Sequence, residues 1–438
     1  MSWPKPKKLS IGSHGSVVVD ECQVCASTDL KSILFVGFLP PVNTMQPIGT
    51  RPQEQPSYPA EVLMCQRCKL AQIGLIVDPN ILFPPHYAYT SGTTKILREN
   101  FTQMYEEVMS SYPLKKDDLV VDIGGNDGTL LSNFQANHRV FCIEPTNAGL
   151  LARNRGIETL TAFFDAEAVN HTLKEKGKAK LITITNCFAH MEDVHTVVEG
   201  VMNLLTDDGI FLTESHYLLP LVETVQYDTV YHEHLRYYSV ESLKYLLEMH
   251  GLEIIRAKRI PTHGGSVRVY SARKGKYPVD GSVAELLRAE KVGLSDEALS
   301  KFKEAVVNSK LGLHALLKDI KAKGERVYAV GAPSRAATLV NYVGLDAGIL
   351  DCVLEIKGSY KIDKYMPGTV VPVFEESRLF TDQPEYALML SWHIADELMP
   401  KLISKGYKGK FIVPLPVPKV VARQHWMART DSYVDKTL

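Results

Sequence analysis

The chain reads as an α/β protein organised around a doubly wound sheet, with a cysteine-bearing unit before it and a second α/β unit after it. Three observations predict this. Short apolar runs alternate with helical periodicity through the middle of the chain, the pattern of strands joined by crossover helices. A second strand, glycine turn and helix begins near residue 326. Two Cys-x-x-Cys pairs precede both. The expected boundaries are 1–85, 86–280 and 281–438.

In the first unit, Cys22-Gln-Val-Cys25 and Cys65-Gln-Arg-Cys68 each form a knuckle offering two thiolates. Two such knuckles complete a tetrahedral zinc site with no open position, so the ion would be structural. Four unrelated buried cysteines, or a redox pair, are the alternatives. Neither pair has a thioredoxin-like surround. The 39 residues between the pairs hold Pro40, Pro41, Pro47, Pro52, Pro56 and Pro59. They predict an irregular excursion with few helical signals.

In the second unit, 96–109 has helical periodicity, with Leu97, Phe101, Met104 and Val108 on one face. Strands are predicted at 119–123, 140–143, 181–185 and 209–214, with helices between them, one near 192–205. That order implies a parallel sheet covered on both faces. The first strand runs into Asp122-Ile-Gly124-Gly125-Asn126-Asp127-Gly128-Thr129, and Leu130, Leu131 and Phe134 open a helix. Glycines there allow close backbone approach to a ligand. The second strand ends in Glu144, placed to hold the ribose hydroxyls of a nucleoside. A plain tight turn is the alternative for the loop alone. After Glu214 comes a segment rich in His and Tyr, then a helix at 239–250 and strands at 252–259 and 266–272. The stretch 275–281 reads as a linker.

In the third unit, 282–323 is helical and charged. Strands follow near 326–330, 351–355, 386–390 and 410–414. The turn after the first contains Gly331, Ser334 and Arg335. It is either a phosphate cradle at a helix start or an ordinary turn.

Bulk properties exclude several classes. The chain has 438 residues, is 45% hydrophobic and 23% charged, and carries a net charge of −1. That balance gives no general pull toward nucleic acid or anionic membrane. No apolar run approaches the roughly 18 residues needed to span a bilayer. Lys5, Lys7 and Lys8 are not followed by an apolar core, so no secretory signal is read. Seven cysteines do not suggest a disulfide scaffold, and the expected location is the cytoplasm.

Four patches carry candidate chemistry. Tyr231-His232-Glu233-His234 is dense in titratable groups. It suits general acid/base work better than a metal site, because the His-Glu-x-x-His spacing is absent. His190 follows Asn186 at a strand end that faces the crevice of a doubly wound sheet, although a helix-entry histidine bonded to backbone is the plain alternative. Tyr87 and Tyr89 precede the central sheet, as aromatic anchors or as linker. His263-Gly264-Gly265-Ser266 leads into a strand, as a functional turn or a hairpin.

The Asp-x-Gly-x-x-Asp-Gly loop resembles the S-adenosylmethionine site of class I methyltransferases and differs from the Gly-x-Gly-x-x-Gly dinucleotide pattern. Together with Asn-Cys-Phe-Ala-His, Tyr-His-Glu-His-x-x-Tyr-Tyr-Ser, His-Gly-Gly-Ser-x-Arg-Val and Val-Gly-Ala-Pro-Ser-Arg-Ala-Ala-Thr-Leu-Val-Asn-Tyr, it resembles sugar C-methyltransferases acting at C3 of nucleotide-linked 4-keto-deoxysugars. The likeness runs over nearly the whole chain. It implies an N-terminal zinc domain with Cys22, Cys25, Cys65 and Cys68 as ligands, a class I methyltransferase sheet and a C-terminal Rossmann-like domain. It further implies that Asp122, Gly124, Asn126 and Asp127 line the methionine end of the cofactor. Glu144 takes the ribose, Phe163 or Phe164 the adenine, and Asn186 lies beside the sulfonium. His234 or His190 is the base that forms an enolate, with Tyr231 and Glu233 orienting and Tyr87 or Tyr89 closing over the centre. His232, His263, Gly264, Ser334 and Arg335 are candidate substrate contacts. A sulfonium is already activated, so the methyl step needs no metal. Arg335-Ala336 stands where the family often has Lys-Gly, and Trp392-His393-Ile394 where it has Trp-Asn-Phe. O- or N-methylation on the same scaffold is the rival reading, and a non-catalytic binding protein a more distant one. A monomer is expected.

Overall fold

The computed structural model describes residues 15–82, 92, 94–112 and 114–422. Its N-terminal part comprises β1 (Val17–Val18), β2 (Leu30–Leu39), β3 (Tyr58–Cys65), β4 (Ala71–Ile73), β5 (Leu75–Ile76) and α1 (Pro79–Leu82). The expected irregular excursion is a correction. β2 and β3 are long paired strands; Pro40, Pro41, Pro47, Pro52 and Pro56 lie in the connection between them, and Pro59 stands near the start of β3, opposite Phe38. Apolar residues of β2 and β3, such as Ile33, Val36, Val62 and Met64, are buried in the core shared with the C-terminal part.

The central part holds α2 (Lys95–Ser111), β6 (Leu119–Ile123), β7 (Arg139–Ile143), α3 (Ala148–Asn154), β8 (Thr159–Leu160), α4 (Ala166–Lys176), β9 (Ala179–Thr185), α5 (Val194–Leu204), β10 (Leu205–His216), α6 (Leu218–Glu223), β11 (Arg236–Tyr237), α7 (Val240–Met249), β12 (Leu252–Ile260) and β13 (Ser266–Arg273). Seven strands pair in the order β12-β13-β10-β9-β6-β7-β8. β6 to β10 are parallel, but β13 runs antiparallel to both β10 and β12. The all-parallel expectation is therefore corrected at one edge. The helix expected after the glycine loop is a single 3-10 turn, Leu131–Asn133. β6 is buried along its whole length, which explains why all its residues but Asp122 are apolar.

α8 (Gly281–Gly293) and α9 (Asp296–Lys321) split the long helical stretch at Ser295, whose hydroxyl caps α9. A second seven-stranded sheet follows. It contains β14 (Val327–Val330), α10 (Ser334–Val343), β15 (Cys352–Glu355), β16 (Lys364–Tyr365), β17 (Pro372–Glu375), α11 (Ser377–Asp382), β18 (Tyr386–Met389), α12 (Ala395–Ser404), β19 (Lys410–Val413) and β20 (Lys419–Val421).

Two features position the site. β11 leaves the central part and pairs with β4, joining the N-terminal sheet. A buried network also ties α2 to the sheet. Arg268, fully buried, donates to Glu214 at 3.1 Å, to Glu107 at 2.8 Å and to Asn100 at 2.7 Å. Among the described residues no helix is long and apolar enough to cross a membrane.

Candidate active site and zinc site

The four cysteine sulfurs lie within 4.8 Å of one another, with Cys22 to Cys68 and Cys25 to Cys65 each 3.4 Å apart. A tetrahedron with Zn–S bonds of about 2.3 Å has edges of about 3.8 Å, so the thiols suit that ion. Both knuckles close alike. Ala26 and Lys69 take left-handed φ of 56° and 58°, and each donates its N–H to the carbonyl of the first cysteine. His195 Nε2 lies 2.8 Å from the Val24 carbonyl, anchoring the first knuckle to α5.

The glycine loop follows β6. Gly124 (φ +69°) donates its N–H to Ile143 at 2.8 Å. A Cβ on Gly125 would lie 2.7 Å from Cys142 Sγ and 3.1 Å from Asp122, so only glycine fits. Asn126, at φ 51°, donates its N–H to Glu144 at 3.0 Å, and Thr146 donates to the other Glu144 oxygen through Oγ1 at 2.6 Å. The Asp127 carboxylate is held by Thr129 Oγ1 at 2.7 Å, Gly92 N–H at 3.0 Å and Arg155 at 3.2 Å. Asp122 accepts from Thr183 Oγ1 at 2.7 Å. Burial pushes its carboxyl up to about 7, with Glu144 adding and Thr183 opposing. Asn186, also left-handed at φ 56°, donates its N–H to the Glu214 carbonyl at 2.7 Å. Phe163 is exposed, whereas Phe164 packs against Gly200 of α5.

A histidine hub lies beyond Asn186. The rings of His190 and His234 are 5.1 Å apart, Tyr231 lies 4.1 Å from His234, and His216 stacks at 6.4 Å. His234 Nδ1 is 2.8 Å from the Thr229 carbonyl and His190 Nδ1 is 2.6 Å from the Glu233 carbonyl. A carbonyl only accepts, so in each ring Nδ1 carries the hydrogen and Nε2 keeps the lone pair. Burial holds both rings below the usual histidine range, and in His234 the neighbouring His190 and His216 add to it. Glu233 is buried and accepts from Asn43 Nδ2 at 2.6 Å. Burial pushes it up to about 7, against Asn43 and Lys361.

Other expected contacts sit elsewhere. His232 lies against the N-terminal sheet, its Nε2 3.1 Å from the Pro59 carbonyl. Arg335 does not face an open phosphate rim. Its guanidinium is buried on Asp228, with two donors at 2.7 Å, and it also reaches Gln226 at 3.1 Å and the His263 carbonyl at 3.2 Å. Ser334 begins α10 and is half-buried. Gly264 is at φ +90°, and a Cβ there would strike Gln226 at 2.5 Å. Tyr87 and Tyr89 lie outside the described residues.

The second sheet repeats the loop device. Gly331 donates to Leu354 at 2.8 Å, and Ala332 N–H donates to Glu355 at 2.9 Å, as Gly124 and Asn126 do with Ile143 and Glu144. Sequence reasoning missed Asn43, Thr183, His216 and Asp228, and noted His393 only as a departure from the family pattern. Each is a single polar residue in an unremarkable local pattern, and only the fold brings it to the site. A surface hollow of about 710 Å³, lined by Tyr112, Arg256 and Tyr277, shares none of these residues.

Three family models cover most of the chain. A zinc binding domain matches 22–83, a methyltransferase domain 96–257 and a C-methyltransferase C-terminal domain 261–416. The chain is 31% identical over 414 residues to C-methyltransferase NovU of Streptomyces niveus, covering 93% of this chain and 98% of that protein. The chain belongs to this C-methyltransferase family. It is an S-adenosylmethionine-dependent enzyme acting on a carbon acceptor, with a zinc-binding four-cysteine domain. An S-adenosylmethionine-dependent methyltransferase from Clostridium acetobutylicum ATCC 824 aligns at 14% identity and TM-score 0.33, over 42% of this chain and 94% of that one. Magnesium protoporphyrin IX methyltransferase of Synechocystis PCC 6803, with bound SAM, aligns at 14% identity and TM-score 0.31, over 43% and 87%.

Proposed function

We propose that the acceptor is a nucleotide-linked 4-keto-deoxysugar methylated at C3, and that His234 is the base. The observation that carries this reading is the neutral pair His190 and His234, each with Nδ1 tied to a carbonyl and Nε2 left basic. A ketone at C4 acidifies the C3 hydrogen enough for such a base, and removal leaves an enolate carbon as nucleophile. Burial keeps the imidazole unprotonated at neutral pH. His234 is the better placed of the two, because its ring sits among Tyr231, His190, His216 and Tyr237. Glu233, held by Asn43, fixes the backbone carbonyl that orients His190.

S-adenosylmethionine supplies an activated methyl when bound. Its cradle in this reading is Asp122, Gly124, Asn126 and Asp127 for the methionine end, Glu144 for the ribose, Asn186 beside the sulfonium and exposed Phe163 near the adenine. The missing Cβ at Gly125 and the pinned Glu144 carboxylate fit such a ligand. The nucleotide end of the acceptor lies toward Gly331 and Ser334.

The test is mass spectrometry of products formed from S-adenosylmethionine and a panel of nucleotide-linked 4-keto-deoxysugars in deuterated water. One added carbon-bound methyl, with deuterium exchange at C3 that is lost in His234→Asn, is the expected result. Methylation on oxygen or nitrogen without exchange would overturn the enolate scheme.

A further inference from the structure

Three imidazoles that the methyl step does not use gather where the central and C-terminal sheets meet. His216 ends β10. His263 sits at φ 56° in the turn Thr262–Gly264, and His393 in the turn Trp392–Ile394. Each ring is half-buried, yet one nitrogen of each is out of solvent and has no hydrogen-bond partner among the described residues: His216 Nδ1, His263 Nε2 and His393 Nδ1. An unmet buried donor or acceptor costs about 1–3 kcal/mol, so three in one place call for a further partner.

The charge at this junction selects the partner. Arg335 stands among the three rings, but its donors are committed to Asp228, Gln226 and the His263 carbonyl. Trp392 Nε1 donates to the same Asp228 at 2.7 Å, fixing the turn that carries His393. Burial first, and Arg335 next, keep all three imidazoles unprotonated: His216 is pushed down to about 3, His263 to about 4, and His393 well below its usual value. A neutral ring carries one donor, one acceptor and no net charge; in His216 the donor Nε2 already faces Gln226 Oε1 at 3.4 Å, which leaves Nδ1 as the acceptor. That pattern suits a hydroxyl, which both donates and accepts, and does not neutralise a phosphate or carboxylate.

We propose that His216, His263 and His393 form a recognition subsite for a ring hydroxyl of the acceptor, with His393 as the specificity-determining wall contributed by the C-terminal sheet. The proposal rests on the sugar C-methylation reading, because His216 stacks beside His234 and so places the subsite next to the base.

The test is calorimetric binding to the full chain with S-adenosylhomocysteine present. The probes are a nucleotide-linked 4-keto-deoxysugar and analogues in which each ring hydroxyl is replaced in turn by hydrogen. The wild type should bind the parent about tenfold or more tighter than one of these analogues. His393→Leu should shrink that ratio to within about twofold, with S-adenosylhomocysteine affinity retained, and His393→Asn should restore part of it. Should His393→Leu fail to fold, His263→Gln serves the same comparison. A folded variant that keeps the tenfold preference, or a wild type without one, overturns the subsite alone. Binding of no sugar nucleotide at all overturns the acceptor reading, and the subsite with it.

Discussion

Replacing Asp228 by alanine should cost the protein several kcal/mol, although the residue lies outside the methyl-transfer chemistry. The carboxylate is fully buried and receives three hydrogen bonds of 2.7 Å, two from Arg335 and one from Trp392. Arg335 is itself only 7% exposed, so the substitution strands a buried guanidinium, which typically costs about 3–5 kcal/mol. The orphaned Trp392 N–H adds about 1 kcal/mol. With a urea dependence of about 3 kcal/mol per molar, the unfolding midpoint should fall by more than about 1 M. Removing both charges in Asp228→Leu/Arg335→Met should recover most of that loss, because apolar replacements of similar volume often match a buried pair. Urea titrations of the wild type, single and double variants, followed by tryptophan fluorescence, read this directly. A loss below about 1 kcal/mol in the single variant, or a double variant no better than the single, would refute the reasoning.

Four further outcomes follow from the geometry. His216, pushed down to about 3 when folded, takes up a proton only on unfolding below its ordinary 6.5, so stability falls as pH drops through that value; His216→Gln should remove roughly 2 kcal/mol of the stability difference between pH 7.5 and pH 5, read from denaturation at both. Asp122 shows the opposite trend: its folded value of about 7 lies above 3.8, so its contribution is lost as pH rises from about 4 through 7. Asp122→Asn should therefore stabilise the ligand-free protein at pH 8 by on the order of 3 kcal/mol and have little effect at pH 4, by thermal unfolding. Gly125→Ala should weaken S-adenosylmethionine binding by about tenfold or more in calorimetry, and pairing it with Cys142→Ala should restore part, since Cys142 Sγ is the atom its Cβ meets. Cys65→Ser should lower bound zinc from one per chain toward zero by elemental analysis and reduce stability by about 2 kcal/mol or more.

The central sheet was legible because β6 and β7 are short, mostly apolar and followed by a glycine turn or an acid, features set by local burial. Strand direction was not legible, since the two-residue alternation of β13 is the same whether it runs with β10 or against it. The N-terminal excursion misled because its prolines were counted across the segment, when five of the six sit in the connection and Pro59 stands only near the start of β3, leaving β2 and β3 free to pair. The histidine-tyrosine segment was visible from density alone. The Asp228–Arg335 pair was not, because 107 residues separate its members and neither stands in a pattern that anticipates the other. His216 was overlooked, and His393 given no role, for the same reason: a lone histidine at a strand end or in a turn carries no signal until a distant charge is placed beside it.

The pairing of β11 with β4 bears on how such an enzyme can be assembled and reassembled. Ile73 donates its N–H to the carbonyl of Leu235, the residue directly after His234, and β11 then continues as an edge of the N-terminal sheet. The zinc-binding segment is thus a splint for the proposed base. A catalytic core cut out at the apparent seam would lose the backbone that sets His234 in place, and grafting a foreign N-terminal unit onto this core would preserve activity only if it brought a matching strand. Swaps between relatives should therefore treat residues 15–82 and the segment around Tyr231–Tyr238 as one inherited piece.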